Sequence, residues 1–237
     1  MPRPWRACTR VWTYAASIRV PRDNPPNGLW WALFLWASLP GWALVVQAMG
    51  GFGLGPNPQE SIIRGFGQVS LVLLLWVYAM PLWARWAGGQ VLAARRAMGL
   101  WTFAYTAVHF LAYLQFEHDR VLAAVWSDIW QRPFVSVGLI GLFLLAALAV
   151  TSNRLAMRQL GARWKRLHRA IHLIVILSLV HFFLHKMGKN DYGEVVVYAG
   201  LFLGIALLKA LPMAAKLPSR PSSAGAASAR FPHTPES

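Results

Sequence analysis

The fold turns on Ala97-Met-Gly-Leu-Trp-Thr-Phe-Ala-Tyr-Thr-Ala-Val-His109-Phe-Leu-Ala-Tyr-Leu-Gln-Phe116 and on Leu167-His-Arg-Ala-Ile-His-Leu-Ile-Val-Ile-Leu-Ser-Leu-Val-His181-Phe-Phe-Leu184. Each stretch is apolar enough to cross a hydrocarbon core of about 30 Å, yet each buries a histidine well inside it. An ionisable side chain at that depth is costly and by default marks a functional site. Neutral imidazole is also the usual protein ligand of haem iron. Two such histidines on different membrane helices imply a b-type haem clamped from both faces, and hence electron transfer.

Outward from these segments, the composition agrees. Of 237 residues 57% are hydrophobic and 13% charged, about half the charged fraction of soluble chains. Spanning stretches are expected near Leu29–Ala48, Ile62–Trp83, Ala97–Phe116, Val135–Ser152, Leu167–Leu184 and Val195–Leu211. The connections are brief, so the expected fold class is all-α: one six-helix transmembrane bundle with haem between spans three and five. Residues 1–28 form an N-terminal arm, 29–211 the membrane domain, and 212–237 a disordered Ser/Ala/Pro-rich tail.

The formal net charge of +15 would point to nucleic acid in a soluble protein, but no base-reading element accompanies it. Its distribution is topological instead. Eighteen of the 23 Lys and Arg fall in the arm, the second and fourth loops and the tail. The opposite side has only Arg64, Arg120, Arg132, Lys186 and Lys189, among most of the acidic residues. Positive-inside bias places both termini in the cytoplasm of a multi-pass membrane protein, in contact with lipid. Cys8 is the single cysteine, so any haem is held non-covalently.

With this sidedness, His109 and His181 lie about twelve and fourteen residues in from the cytoplasmic ends of their spans. At about 1.5 Å per residue they share a depth in the outer half, as one haem between two helices requires. His168 stands thirteen residues before His181, about 20 Å along the axis. The residue thirteen before His109 is Arg96, so an inner pair is incomplete: either there is one haem, or the inner site uses another ligand or cofactor. His172 and His185 repeat the thirteen-residue spacing one turn further on, which leaves the register open. Zinc is disfavoured at the i, i+4 pairs His168/His172 and His181/His185, because no acidic or thiol third ligand accompanies them. His118 and His233 are expected to be solvated.

Other motifs have plainer explanations. Asn57-Pro58-Gln59-Glu60 reads as a helix start, with Asn57 the cap and Glu60 closing a capping box. Pro40 and Pro81 should kink or end spans one and two. Tryptophans near the span ends form an aromatic belt. The collar Arg163-Trp-Lys-Arg-Leu-His168-Arg is either topological or a contact for an anionic group such as a flavin phosphate.

Taken together, Arg95-Arg96 followed by Gly99-Leu-Trp and His109, Leu54-Gly-Pro-Asn-Pro, Arg132-Pro-Phe-Val-Ser-Val-Gly138, Thr151-Ser-Asn153 and Gly161-Ala-Arg-Trp-Lys-Arg-Leu-His168-Arg resemble the ferric-reductase-like transmembrane superfamily. Within it they look like the MsrQ (YedZ) family of haem-binding membrane subunits, over roughly Leu29 to Leu211. The resemblance implies b-type haem, FMN, and electron delivery to a periplasmic molybdopterin-dependent methionine sulfoxide reductase that repairs oxidised proteins. The electron donor it implies is the quinone pool or a cytosolic flavin reductase. His109, His168 and His181 match the family's haem-associated positions, with His109 and His181 as the metal ligands. The short C-terminal segment leaves no room for the pyridine-nucleotide and FAD domains of the superfamily's oxidases. The chain is therefore expected to act as an electron-transfer subunit, not catalytic on methionine sulfoxide alone. Two rival functions are a self-sufficient outer-face ferric reductase and a proton-coupled transporter. The spans hold almost no carboxylates, which disfavours the transporter.

Overall fold

The computed structural model describes residues 28–87, 90–188 and 190–211. The arm and tail expected from the sequence lie outside the described residues. The described residues form helices α1 (Gly28–Gly50), α2 (Pro58–Ala87), α3 (Gln90–His118), α4 (Leu122–Gln131), α5 (Pro133–Val150), α6 (Arg154–Leu160), α7 (Ala162–His168), α8 (Ile171–Met187) and α9 (Gly193–Ala210). Among the described residues, six segments are long and apolar enough to span a membrane: Trp30–Gly50, Pro58–Ala87, Ala94–His118, Pro133–Val150, Ala162–Met187 and Gly193–Ala210. Helices satisfy every backbone polar group internally, which lipid cannot do for them. The fifth spanning segment is not continuous as the sequence reading had it. Its helix breaks at Arg169–Ala170 into α7 and α8.

Helix α2 is the wall shared by two packed clusters. On one side Phe66, Leu73, Val77 and Met80 meet Ala37 of α1 and Ala94, Met98 and Tyr105 of α3. On the other, Leu74, Leu75 and Tyr78 meet Leu145 and Leu148 of α5 and Ile171, Ile174 and Val175 of α8. Helix α5 packs along α8, and α3 along α2, whereas α3 and α8 are not packed along one another. The two histidine-bearing helices are thus held apart, with α2 and α5 flanking the space between them.

Between helices in lipid, apolar contact alone gives little preference, so close packing and interhelical hydrogen bonds decide the arrangement. Pro40 does not end α1, which continues to Gly50. Tyr105 explains how the ladder is completed beside it. Its hydroxyl donates to the Ala37 carbonyl at 2.7 Å and accepts the Gly41 N–H at 3.0 Å. The phenol therefore sits inside an i to i+4 step that would otherwise close directly. A Cβ on Gly41 would lie 2.7 Å from that hydroxyl, so only glycine admits it. Pro81 likewise falls inside α2 without ending it.

Helix α2 starts at Pro58, as the motif predicts. The Asn57 Oδ1 accepts the Glu60 N–H at 3.3 Å. Glu60 Oε2 in turn accepts from the Asn57 side-chain amide at 3.3 Å. The box is therefore closed side chain to side chain.

Candidate functional site

A cavity of about 580 Å³ opens between α2, α3, α5 and α8, within the roughly 300–1,000 Å³ range of ligand and cofactor sites. Leu71, Leu74, Leu142, Leu145, Ile174 and Leu177 line its apolar part. His109 and His181 both face it. Their ring centroids are 6.2 Å apart and their planes cross at 86°.

Each ring is anchored from behind in the same way. The Nδ1 of His109 lies 2.8 Å from the Ile63 carbonyl of α2. The Nδ1 of His181 lies 2.6 Å from the Phe134 carbonyl of α5. A carbonyl only accepts, so both Nδ1 atoms carry the proton and both Nε2 atoms keep a free lone pair. Second-group bonds of this kind fix the tautomer and orientation of a metal-ligating histidine and raise its basicity. Glycines make room for the rings: Gly67 of α2 against His109 and Gly138 of α5 against His181.

His168 is not in this cavity. It stacks on Trp164 with centroids 4.0 Å apart, and its Nε2 lies 3.3 Å from the Ser152 hydroxyl, near the ends of α5 and α7. His172 meets the Tyr78 hydroxyl at 3.2 Å. The Arg95 guanidinium is within electrostatic reach of both. Of the four histidines of the thirteen-residue spacings, His181 and His185 line the cavity while His168 and His172 occupy the opposite, more basic end. At the same end Arg96, Arg163 and Lys165 are exposed.

The cavity's mouth, on the side carrying most acidic residues, is polar. Arg64, Gln68, Arg132, Lys186 and Glu194 line it. Arg64 pairs with Glu60, Arg132 with Asp128 at 3.4 Å, and Lys186 with Asp191 at 2.7 Å and Glu194 at 3.1 Å. His118 corrects the sequence expectation of a solvated side chain: its side chain is only 10% exposed. Its Nε2 lies 2.8 Å from the Tyr113 hydroxyl and 3.0 Å from Asp128, and Tyr113 donates to the same carboxylate at 2.6 Å. Burial alone would raise the Asp128 pKa. The Tyr113 hydroxyl, the Arg132 charge and His118 outweigh it and hold the carboxyl below its ordinary range. This cluster ties the last turns of α3, from Tyr113 one turn beyond His109 to His118 at its end, to the short helix α4. Sequence spacing missed it, because a polar cluster formed across a turn has no periodic signature.

The family model described as the ferric reductase like transmembrane component matches residues 64–179, from the cavity wall on α2 to α8. The heme-binding subunits MsrQ of the protein-methionine-sulfoxide reductases of Bordetella pertussis, Bordetella parapertussis and Bordetella bronchiseptica are each 40% identical over 150 residues, covering 63% of this chain and 73% of theirs. The chain belongs to the MsrQ family. Its six candidate spans are those of a multi-pass membrane protein with the ferric-reductase-like membrane domain. Beside the histidines, the cavity is shaped by Ile63 and Gly67, which the sequence reading did not single out, and by Phe134 and Gly138, which it quoted only within a longer motif. The signal for the glycines was present in Gly65-Phe-Gly67 and Ser136-Val-Gly138, where a small residue interrupts a spanning segment.

Proposed function

We propose that this chain is the membrane electron-transfer subunit of a protein-methionine-sulfoxide reductase system, and that His109 and His181 hold a b-type haem between spans three and five. The observation that carries this reading is the 6.2 Å separation of the two rings. A ring nitrogen meets a first-row metal at about 2.0–2.1 Å, and the ring centre lies about 1.1 Å behind it, so two imidazoles sharing one ion stand about 6.3 Å apart. The donor set fits the group: two neutral imidazoles with Nδ1 occupied and Nε2 available. Bound there, haem supplies a one-electron carrier whose potential follows its axial ligands, the hydrogen bonds behind them and its burial. The leucines of α2 and α5 keep the middle of the cavity apolar, and the cations at its mouth, Arg64, Arg132 and Lys186, are held in ion pairs with Glu60, Asp128, Asp191 and Glu194.

At the basic end we assign electron uptake to the neighbourhood of His168, with FMN as the second cofactor. Arg95, Arg96, Arg163 and Lys165 are the cations at hand for its phosphate. The donor is the quinone pool or a cytosolic flavin reductase, and the acceptor is a periplasmic molybdopterin-dependent reductase. The test is the visible spectrum of the purified protein, oxidised and reduced. A reducible low-spin Soret band is expected, and its absence would remove the electron-transfer reading. His168→Ala should keep most of that band while losing flavin or slowing electron uptake. Complete haem loss in this variant, with His181→Ala silent, would mean a different ligand pair.

The split of basic residues supports an inner-membrane location with cytoplasmic termini. Reporter fusions after Ala87 or between Asn153 and Arg163 should read cytoplasmic, and those near Gly55, His118 and Asn190 periplasmic. An inverted pattern would reverse the direction assigned to electron flow.

A further inference from the structure

The two histidine anchors share one geometric detail. The carbonyl that receives His109 belongs to Ile63, and the glycine beside the ring is Gly67, four residues on. The carbonyl that receives His181 belongs to Phe134, and the glycine beside that ring is Gly138, again four residues on. In a helix the Cβ at i+4 tilts toward the N-terminus, beside the carbonyl of residue i. A side chain there would cover the one face from which an imidazole can approach. At Ile63 and Phe134 the imidazole reaches the carbonyl's second lone pair through the space that a Cβ at i+4 would take.

We propose that Gly67 and Gly138 are a matched pair of positioning residues, which set the plane and the donor strength of the two imidazoles by keeping the Ile63 and Phe134 carbonyls reachable. The inference rests on the assignment of His109 and His181 as axial ligands. Its magnitudes differ between the two sites. A Cβ on Gly138 would lie 2.7 Å from the His181 Nδ1 and 2.9 Å from its Cε1, too close to coexist with a ring held 2.6 Å from the Phe134 carbonyl. A Cβ on Gly67 would lie 3.1 Å from the same atoms of His109, which a shift of a few tenths of an ångström relieves. Gly138→Ala therefore turns or displaces its imidazole, and Gly67→Ala only nudges one. An imidazole that loses its Nδ1–H bond is a weaker donor and stabilises ferric iron less. The midpoint potential should then rise.

The experiment uses the full-length, haem-loaded protein in detergent, read by potentiometric titration and low-temperature EPR. Near-perpendicular imidazoles give a strongly anisotropic low-spin signal, so ring rotation is visible directly. Gly138→Ala should raise the potential and reduce that anisotropy, and Gly67→Ala should do both to a smaller extent. Gly204→Ala on α9, where a Cβ meets nothing within 4 Å, should do neither. Wild-type potential and EPR in Gly138→Ala would overturn the proposal. If Gly138→Ala fails to accumulate haem, His181→Gly supplied with external ligand takes its place. Imidazole can donate to the Phe134 carbonyl and should restore the low-spin signal at several-fold lower concentration than 1-methylimidazole, which cannot. Equal affinity for the two would also overturn it. Low-spin haem surviving in both His109→Ala and His181→Ala would instead sink the axial assignment beneath it, whatever the glycine variants do.

Discussion

His109→Ala and His181→Ala should each abolish the low-spin haem signal while the protein still accumulates in the membrane. Each variant removes one of two imidazoles that stand 6.2 Å apart, and the neighbours do not provide a substitute. Near His109 the flanking groups are Gly67, Ser70 and Thr106, whose hydroxyls are poor iron ligands and are engaged with each other at 2.5 Å. His185 also lines the cavity, but it lies one turn beyond His181, about 5.4 Å further along α8 and away from the level of His109. The fold should survive both changes, because the packed clusters around Leu73 and Met80, and around Ile174 and Val175, do not include either histidine. The measurement is the reduced-minus-oxidised spectrum together with EPR, normalised to protein. A wild-type spectrum in both variants would exclude the pair.

The second large effect concerns the partner. The isolated subunit, reduced by a quinol or through a flavin reductase, should not turn over methionine sulfoxide. Adding the periplasmic reductase with oxidised substrate should accelerate reoxidation of its haem by roughly tenfold or more, a barrier difference of at least about 1.4 kcal/mol. The reason is geometric. The cavity's mouth is ringed by Arg64, Arg132, Lys186 and Glu194, so a partner reaches the shortest path to His109 and His181 over the segments Phe116–Arg132 and Lys186–Glu194. Helix α4 within the first of these exposes Leu122, Trp126 and Trp130 while Asp128 holds its inner face to Tyr113 and His118. Stopped-flow absorbance, with and without partner and substrate, is the measurement. Sulfoxide reduction by the subunit alone, or reoxidation indifferent to the partner, would overturn the donor assignment.

Much of this molecule was legible from its sequence, and for one physical reason. In lipid, the cost of an exposed backbone or a charge acts residue by residue, so spans and unusual polar residues can be read linearly. The six spans were placed within a few residues, and the depths of His109 and His181 followed from counting along a helix. Tertiary structure alone decided what depends on helices meeting. It brought His109 and His181 into one cavity and left His168 and His172 at the opposite end, although spacing along the helices allowed more than one register. It also buried His118 beside Asp128, seated Tyr105 in the backbone step next to Pro40, and set Gly67 and Gly138 against the rings. Counting along one helix gives a residue's depth but not which way it faces its neighbours, and these contacts follow from how the helices are rotated and packed.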